Sequence, residues 1–148
     1  MIPPFEANGN LPPGLHKATW HEFTSRFGET KHRRDLLRGL HIALTALKLA
    51  GCRYAYIDGS FITTKVVPGD FDGCWDEEGV NVELLFATEP ALLQFNNKRA
   101  AQKAKFGGEL FPSGFPADRQ QRTFLQFFQV DRDGNPKGII VLALESLP

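Results

Sequence analysis

Residues 54–76 constrain the fold of this chain more than any other segment. A run of β-forming residues, Tyr54–Asp58, leads into the pair Gly59-Ser60, and after nine intervening residues a second extended segment begins at Asp70-x-Asp72. Side chains alternate along a strand, so the two aspartates would share one face, about 6–7 Å apart. The pattern predicts two short strands joined by a Gly-Ser turn, with paired carboxylates on the second strand.

Paired carboxylates and a glycine-serine turn suit one kind of chemistry. Two like charges at this spacing repel each other, and hard oxygen ligands of this kind favour Mg²⁺ or Mn²⁺. Gly59 and Ser60 offer backbone N–H groups and a hydroxyl to a phosphate. Together the two features indicate metal-assisted phosphoryl or nucleotidyl transfer.

The composition indicates one compact cytoplasmic domain. The 148 residues suffice for a single core, and residues 1–18 are predicted to form a Pro-rich N-terminal arm. The formal net charge is zero, which argues against electrostatic binding of nucleic acid by the chain as a whole. No apolar run approaches the roughly 20 residues of a membrane span. The chain begins without the features of a signal peptide, and Cys52 and Cys74 have neither disulfide nor metal-site spacing, so we expect a reducing compartment.

Capping signals and apolar periodicity predict the remaining elements. Thr19 and Glu22 form a capping box for a short helix, and leucines at three- and four-residue steps predict a longer helix over 31–50. The other predicted segments are a helix from Thr88 to about Lys105, a short extended segment over 109–112, a loop over 112–122 and a buried strand over 138–144.

Residues 123–130 are compatible with either a helix or a strand. Thr123 and Gln126 could form a capping box, whereas the turn-forming residues 131–134 could close a hairpin. We favour the helix. The predicted fold class is α/β (α+β), with a small mixed β-sheet flanked by helices.

The order of these elements and motifs resembles the minimal nucleotidyltransferase core of the DNA polymerase beta superfamily. That family has an apolar strand, a Gly-Ser turn, an Asp-x-Asp motif roughly ten residues later and a third acid on a later strand. The matching positions here are Gly59, Ser60, Asp70 and Asp72, with Glu109 at the position of the third acid. The wider sequence is similar to a short bacterial branch of uncharacterised nucleotidyltransferase-like proteins.

The resemblance implies an activity and a set of roles. The family binds a nucleoside triphosphate with Mg²⁺ and transfers a nucleoside monophosphate to a hydroxyl. Asp70, Asp72 and Glu109 would be the catalytic metal ligands, with Glu109 also acting as the base, while Gly59 and Ser60 would hold the triphosphate. The implied acceptor is a macromolecule, either tRNA or a protein. Similarity to toxin–antitoxin and defence modules implies a partner protein such as an antitoxin.

Two features depart from the family pattern. Many members carry an arginine soon after the Gly-Ser turn, whereas Lys65 is the one cation in the corresponding loop here. Lys65 would neutralise charge on the leaving pyrophosphate, and Arg119 and Arg122 are further candidates for that role. The residue after Asp72 is Gly73, which indicates a bulge or a close backbone approach.

Two alternative functions stay open at the level of sequence. The chain could be an inactive module of the same fold that binds nucleotide, RNA or a partner protein. It could also be an RNA-binding protein, because the basic residues Lys31, Arg33, Arg34 and Arg38 lie at the start of the long helix, where the helix dipole favours acids.

Overall fold

A five-stranded mixed β-sheet forms the centre of the molecule. The computed structural model describes every residue from Met1 to Pro148. In chain order the strands are β1 (Gly14–Ala18), β2 (Tyr54–Asp58), β3 (Phe71–Trp75), β4 (Gly108–Pro112) and β5 (Gly138–Ala143). Their order in the sheet is β1-β5-β2-β3-β4; β2 runs antiparallel to β5 and β3, whereas β1 and β4 pair in parallel at the two edges. The fold is therefore of the predicted α+β class.

Five α-helices accompany the sheet. They are α1 (Trp20–Phe27), α2 (Lys31–Leu49), α3 (Val82–Thr88), α4 (Asn96–Phe106) and α5 (Phe124–Phe128). The predicted capping box of Thr19 and Glu22 begins α1, and the Thr30 side chain caps α2. No helix combines the length and the apolar character that crossing a membrane requires.

One apolar core joins α2 to the sheet. Leu40, Leu44 and Leu47 of the predicted leucine stripe are fully buried, in the same cluster as Ile57 of β2 and Leu110 of β4. Each such side chain contributes about 1.5–3 kcal/mol by leaving water, so this packing holds the long helix against the strands.

Gly73 lies in β3 where three neighbours leave no room for a side chain. A Cβ atom there would collide with the carbonyl oxygen of Tyr56 and crowd Ile57 and Leu110. The register between β2 and β3 is continuous. Of the two alternatives that the sequence left open for Gly73, the structure shows the close backbone approach and not the bulge.

The structure corrects the prediction for the N-terminal arm. Residues 14–18 belong to the sheet as β1, in register with Gly138–Leu142 of β5. The segment has no clear alternation of apolar and polar residues, and its hydrogen-bonding partner lies far away in the sequence. Local patterning therefore could not identify it as a strand.

The predicted helix from Thr88 to about Lys105 is wrong in its first part and is present only in its second part, as α4. Thr88 ends α3, a 3₁₀ turn follows over Pro90–Leu93, and α4 begins only at Asn96. The Thr88 hydroxyl donates to the carbonyl oxygen of Leu84, one turn back, so it cannot cap a following helix. Asn81 supplies the actual cap of α3 by accepting from the Leu84 N–H.

The helical interpretation of residues 123–130 is confirmed for Phe124–Phe128. Thr123 and Gln126 form the predicted capping box, each side chain accepting from the other residue's backbone N–H. The hairpin alternative is reduced to a single bridge between Val130 and Pro136. The ring of Phe124 stacks on Phe111 of β4 with 4.0 Å between centroids, which fixes α5 over one face of the sheet.

Candidate active site

Three carboxylates lie side by side on neighbouring strands. Asp58 ends β2, Asp72 lies in β3 and Glu109 lies in β4, and the register pairs Asp72 with both of the others. Side chains directly opposite each other on adjacent strands share a face, with Cβ atoms about 4.5–5.5 Å apart. We call Asp58, Asp72 and Glu109 the carboxylate row. Asp70 immediately precedes β3, and its charge also acts on Asp72.

The Gly59-Ser60 turn lies directly against the centre of this row. Gly59 has φ 89°, a left-handed conformation that favours glycine. A Cβ atom at Gly59 would lie 2.8 Å from Oδ2 of Asp72, so a larger residue would press on that carboxylate. Ser60 begins a short 3₁₀ turn that ends at Ile62. The structure thus brings together Gly59, Ser60 and Asp72, as the sequence motif suggested.

Of the three carboxyl groups in the row, Asp72 has the pKa that is raised most. Burial, followed by the charges of Glu109 and Asp70, raises the pKa of Asp72 to about 7. No lysine or arginine forms an ion pair with it. Asp72 is thus the one carboxylate of the row without a protein counter-charge.

Asp58, by contrast, has a cation of its own. Lys137 Nζ lies 2.9 Å from one carboxylate oxygen of Asp58 and 3.0 Å from the other, and the Asp58 side chain is only 7% exposed. Burial raises the pKa of Asp58, and the attraction of Lys137 opposes that increase. Lys137 immediately precedes β5, so the neighbouring strand supplies this counter-charge.

Glu109 is held by two cations from α4. Arg99 Nε and Lys103 Nζ lie 2.9 Å and 3.2 Å from the same oxygen of Glu109. Burial favours the protonated acid, but the hydrogen bonds from Arg99 and Lys103 outweigh it and lower the pKa of Glu109. No three His, Cys, Asp or Glu side chains in the molecule are arranged to hold a metal ion among themselves.

Lys65 lies in a loop that a buried arginine holds in place. Arg33 donates to the carbonyl oxygens of Phe61, Thr63 and Lys65 at 2.5, 3.0 and 2.6 Å. Burial lowers the pKa of Arg33, and its guanidinium donates four hydrogen bonds to carbonyl oxygens close by. The Lys65 side chain itself is exposed and forms no ion pair.

The basic start of α2 is therefore not the free cationic surface that the sequence suggested. Arg33 is buried beneath the loop, with 6% of its surface exposed. Lys31 and Arg38 both pair with Asp35. Arg34 donates to the carbonyl oxygens of Gly28 and Glu29. Each of the four basic side chains at this helix end thus has a partner within the protein, although only Arg33 is buried.

A cavity of about 760 Å³ opens beside the carboxylate row. Its lining includes Asp58, Asp72 and the Gly59-Ser60 turn on one side, and Lys65, Phe127 and Lys137 around the rest. The volume lies within the range of small-molecule sites, and a polar floor with an aromatic wall is typical of them. Glu109, Asp70 and Arg119 do not line it.

Sequence reasoning missed Asp58, Lys137 and Arg99 as components of this site. Asp58 directly precedes Gly59, so its position at the end of a strand beside the turn was a usable signal. Nothing local marks Lys137, which lies 79 residues from the carboxylate that it contacts. The pairing of Arg99 with Glu109 depends on how α4 folds back along β4.

Comparison with known proteins places the chain within one family model. That model matches residues 3–143, and its description reads "Family of unknown function (DUF6932)". No curated protein and no solved structure matches the chain. The geometry of the site is therefore the main guide to its chemistry.

Proposed function

We propose that this chain, which belongs to the DUF6932 family, is a Mg²⁺- or Mn²⁺-dependent nucleotidyltransferase. It would move a nucleoside monophosphate from a nucleoside triphosphate to a hydroxyl of a macromolecule, either tRNA or a protein. The observation that carries the proposal is Asp72, a half-buried carboxylate without a cation, in register between Asp58 and Glu109 and directly against the Gly59 turn.

The residues present fit one divalent ion in donor chemistry. Mg²⁺ usually takes one or two protein carboxylates and completes its shell with water and substrate phosphates. Asp70 and Asp72 would be those two ligands, which agrees with the absence of a three-ligand protein cluster. When bound, the ion would supply charge stabilisation at the phosphoryl group being transferred.

The chain's own groups would bind and orient the nucleotide. Gly59 and Ser60 would offer their backbone N–H groups and the serine hydroxyl to phosphate oxygens. Lys65, exposed at the cavity wall, would approach the leaving pyrophosphate. Glu109 would be a weak proton acceptor, because Arg99 and Lys103 lower its pKa. Its role in this proposal is to hold α4 against β4 beside the site.

A second candidate function is an inactive module that binds nucleotide or a partner protein. The ion pairs of Glu109 favour it, because the third acid of the nucleotidyltransferase pattern is already neutralised by Arg99 and Lys103. A partner protein such as an antitoxin belongs to either candidate and rests on the sequence resemblance alone.

Transfer of label from α-³²P nucleoside triphosphates tests the proposal. Each nucleotide would be incubated with the protein and Mg²⁺ or Mn²⁺, with a bacterial lysate or purified total tRNA as acceptor. We expect label in RNA or protein with the intact chain and none with the Asp70→Ala/Asp72→Ala double variant. Glu83→Ala, which removes an exposed carboxylate in α3, is the matched control and should behave as the intact chain does.

Two results would change the conclusion. Equal labelling by the intact chain and the double variant would mean that the activity arises elsewhere, and would overturn the proposal. No labelling with any nucleotide, together with measurable nucleotide binding, would establish the inactive module instead.

A further inference from the structure

The cavity beside the carboxylate row is lined by cations from separate parts of the chain. Lys65 comes from the loop after the Gly-Ser turn, Arg122 from the segment before α5, Arg132 from the turn after α5, and Lys137 from the approach to β5. Segments up to about 70 residues apart thus place positive charge around one space of about 760 Å³.

Two of these cations have no internal counter-charge. Lys65 and Arg132 are exposed and belong to no ion pair. Arg122, in contrast, pairs with Asp118 at 2.7 Å. The nearby carboxylate of Asp131 accepts from backbone N–H groups of its own turn and forms no ion pair with Arg132. Lys65 and Arg132 are therefore available to a negatively charged ligand.

Lys137 is fixed at the floor of the same cavity. Its ammonium lies against both oxygens of Asp58, and its side chain is 21% exposed. An ammonium has three N–H donors, and Asp58 Oδ2 accepts one hydrogen bond from Lys137. A donor therefore remains for a ligand, in a position that Asp58 fixes and that lies beside Gly59 and Ser60 in the cavity lining.

We propose that this cavity binds the polyphosphate of a nucleoside triphosphate without a metal ion, through Lys65, Arg132 and Lys137. The inference deepens the nucleotide-binding role proposed above and rests on it for the choice of ligand. Lys65 and Arg132 offset part of the charge of a triphosphate, a role that a bound divalent ion often fills. Lys137, whose charge Asp58 already balances, contributes a hydrogen-bond donor. The metal ion is then required for transfer and not for binding.

Binding in the presence of EDTA tests the inference. Isothermal titration calorimetry would compare ATP, inorganic tripolyphosphate and adenosine as ligands for the full chain. We expect ATP and tripolyphosphate to bind and adenosine not to bind. Arg132→Gln and Lys65→Met should each weaken ATP binding about tenfold, because each removes one charge-assisted contact. Lys17→Met, which removes an exposed and unpaired lysine outside the cavity, should leave binding unchanged.

Lys137 requires a paired substitution. Lys137→Met alone would leave Asp58 buried and unpaired, which commonly destabilises a fold. The double variant Asp58→Asn/Lys137→Met removes both charges and should fold while losing affinity for ATP in EDTA. Unfolding curves for each variant would confirm that the folded protein is being titrated.

The inference is overturned if ATP binds only after Mg²⁺ is added, or if adenosine binds as tightly as ATP. It is also overturned if the Lys17 control weakens binding as much as the cavity variants do. Tighter binding of ATP than of tripolyphosphate would identify the nucleotide as the ligand, whereas equal affinities would assign the site to polyphosphate in general. Binding in EDTA without any label transfer would contradict the proposed transferase and leave this inference standing.

Discussion

Asp72 differs from its two neighbours in having no protein cation to offset its burial. Lys137 pairs with Asp58, and Arg99 and Lys103 pair with Glu109, so the ends of the carboxylate row are neutralised within the fold. A buried charge without a partner costs folding free energy, and such groups concentrate at functional sites. The cost at Asp72 is therefore measurable even before a ligand is known.

Asp72→Asn should stabilise the protein above neutral pH in EDTA. The pKa of Asp72 is about 7 in the folded state against 3.8 for the ordinary acid, so the folded chain binds a proton that the unfolded chain has lost. The stability from that proton is complete below about pH 4 and is lost as the pH rises towards 7. The gain from Asn should grow from near zero at pH 4 to roughly 1–3 kcal/mol at pH 8.

Urea unfolding of the wild type and of the variant at several pH values would measure this difference. Glu83→Gln, at an exposed site, is the matched control and should give a difference that does not change with pH. A variant less stable than the wild type at pH 8 would show that Asp72 is paired in the folded state and would contradict the expectation.

At the scale of elements, the first turn of α2 holds the loop that follows the Gly-Ser turn. His32 Nε2 lies 2.5 Å from the carbonyl oxygen of Pro68, and Arg33 reaches three carbonyl oxygens between Phe61 and Lys65. The loop has almost no regular hydrogen bonding of its own. One helix end thus determines the shape of one wall of the cavity.

Arg33→Met should loosen the loop over residues 61–68 and destabilise the fold by roughly 2–4 kcal/mol, because buried carbonyl oxygens lose their donors. Amide hydrogen exchange should become faster in that loop before it changes elsewhere. Arg34→Met, one residue along and bound only to carbonyl oxygens at the surface, should cost less than about 1 kcal/mol. Equal effects of the two substitutions would contradict the role given to Arg33.

The elements that could be predicted from sequence are those with local signals. Thr19 and Thr123 have their capping partners three residues later, and the leucines of α2 repeat within the helix itself. The elements that were missed depend on other parts of the chain. The strand β1 forms because β5 provides hydrogen-bonding partners for its backbone. Thr88 ends α3, and its hydroxyl donates to the carbonyl oxygen of Leu84 in the same helix.

For the whole molecule, the N-terminal segment is part of the folded body. Leu11 is 1% exposed, and β1 follows three residues later to pair with β5. Leu15, within β1, is by contrast 47% exposed. The two leucines provide a comparison between packing into the core and packing along the edge of the sheet.

Leu11→Ala should therefore lower the free energy of unfolding by roughly 2–4 kcal/mol, and Leu15→Ala by less than about 1 kcal/mol. Thermal unfolding followed by circular dichroism would measure both. A small effect at Leu11 would indicate that the segment before β1 does not contribute to the core, as expected for the Pro-rich arm that the sequence suggested over residues 1–18.

The candidate site shows the same division between local and distant information. Gly59, Ser60, Asp70 and Asp72 stand within one short stretch, and their spacing was sufficient to single them out. The counter-charges were not predictable, because Lys137 meets Asp58 only through the pairing of β5 with β2, and Arg99 meets Glu109 only through the packing of α4 on β4. Which carboxylates of the site have a counter-charge is therefore decided by how the strands and α4 pack together.

The pairing of β1 with β5 also determines when the sheet can be completed as the chain is synthesised. Leu15 pairs with Ile139, about 124 residues later, and at 5–20 residues per second that interval lasts roughly 6–25 s on the ribosome. Throughout that time the first strand of the sheet has no edge on which to form. A substitution at the exposed Leu15 of β1 would therefore reduce the yield of newly made protein through misassembly while leaving the molecules that do fold nearly as stable as before.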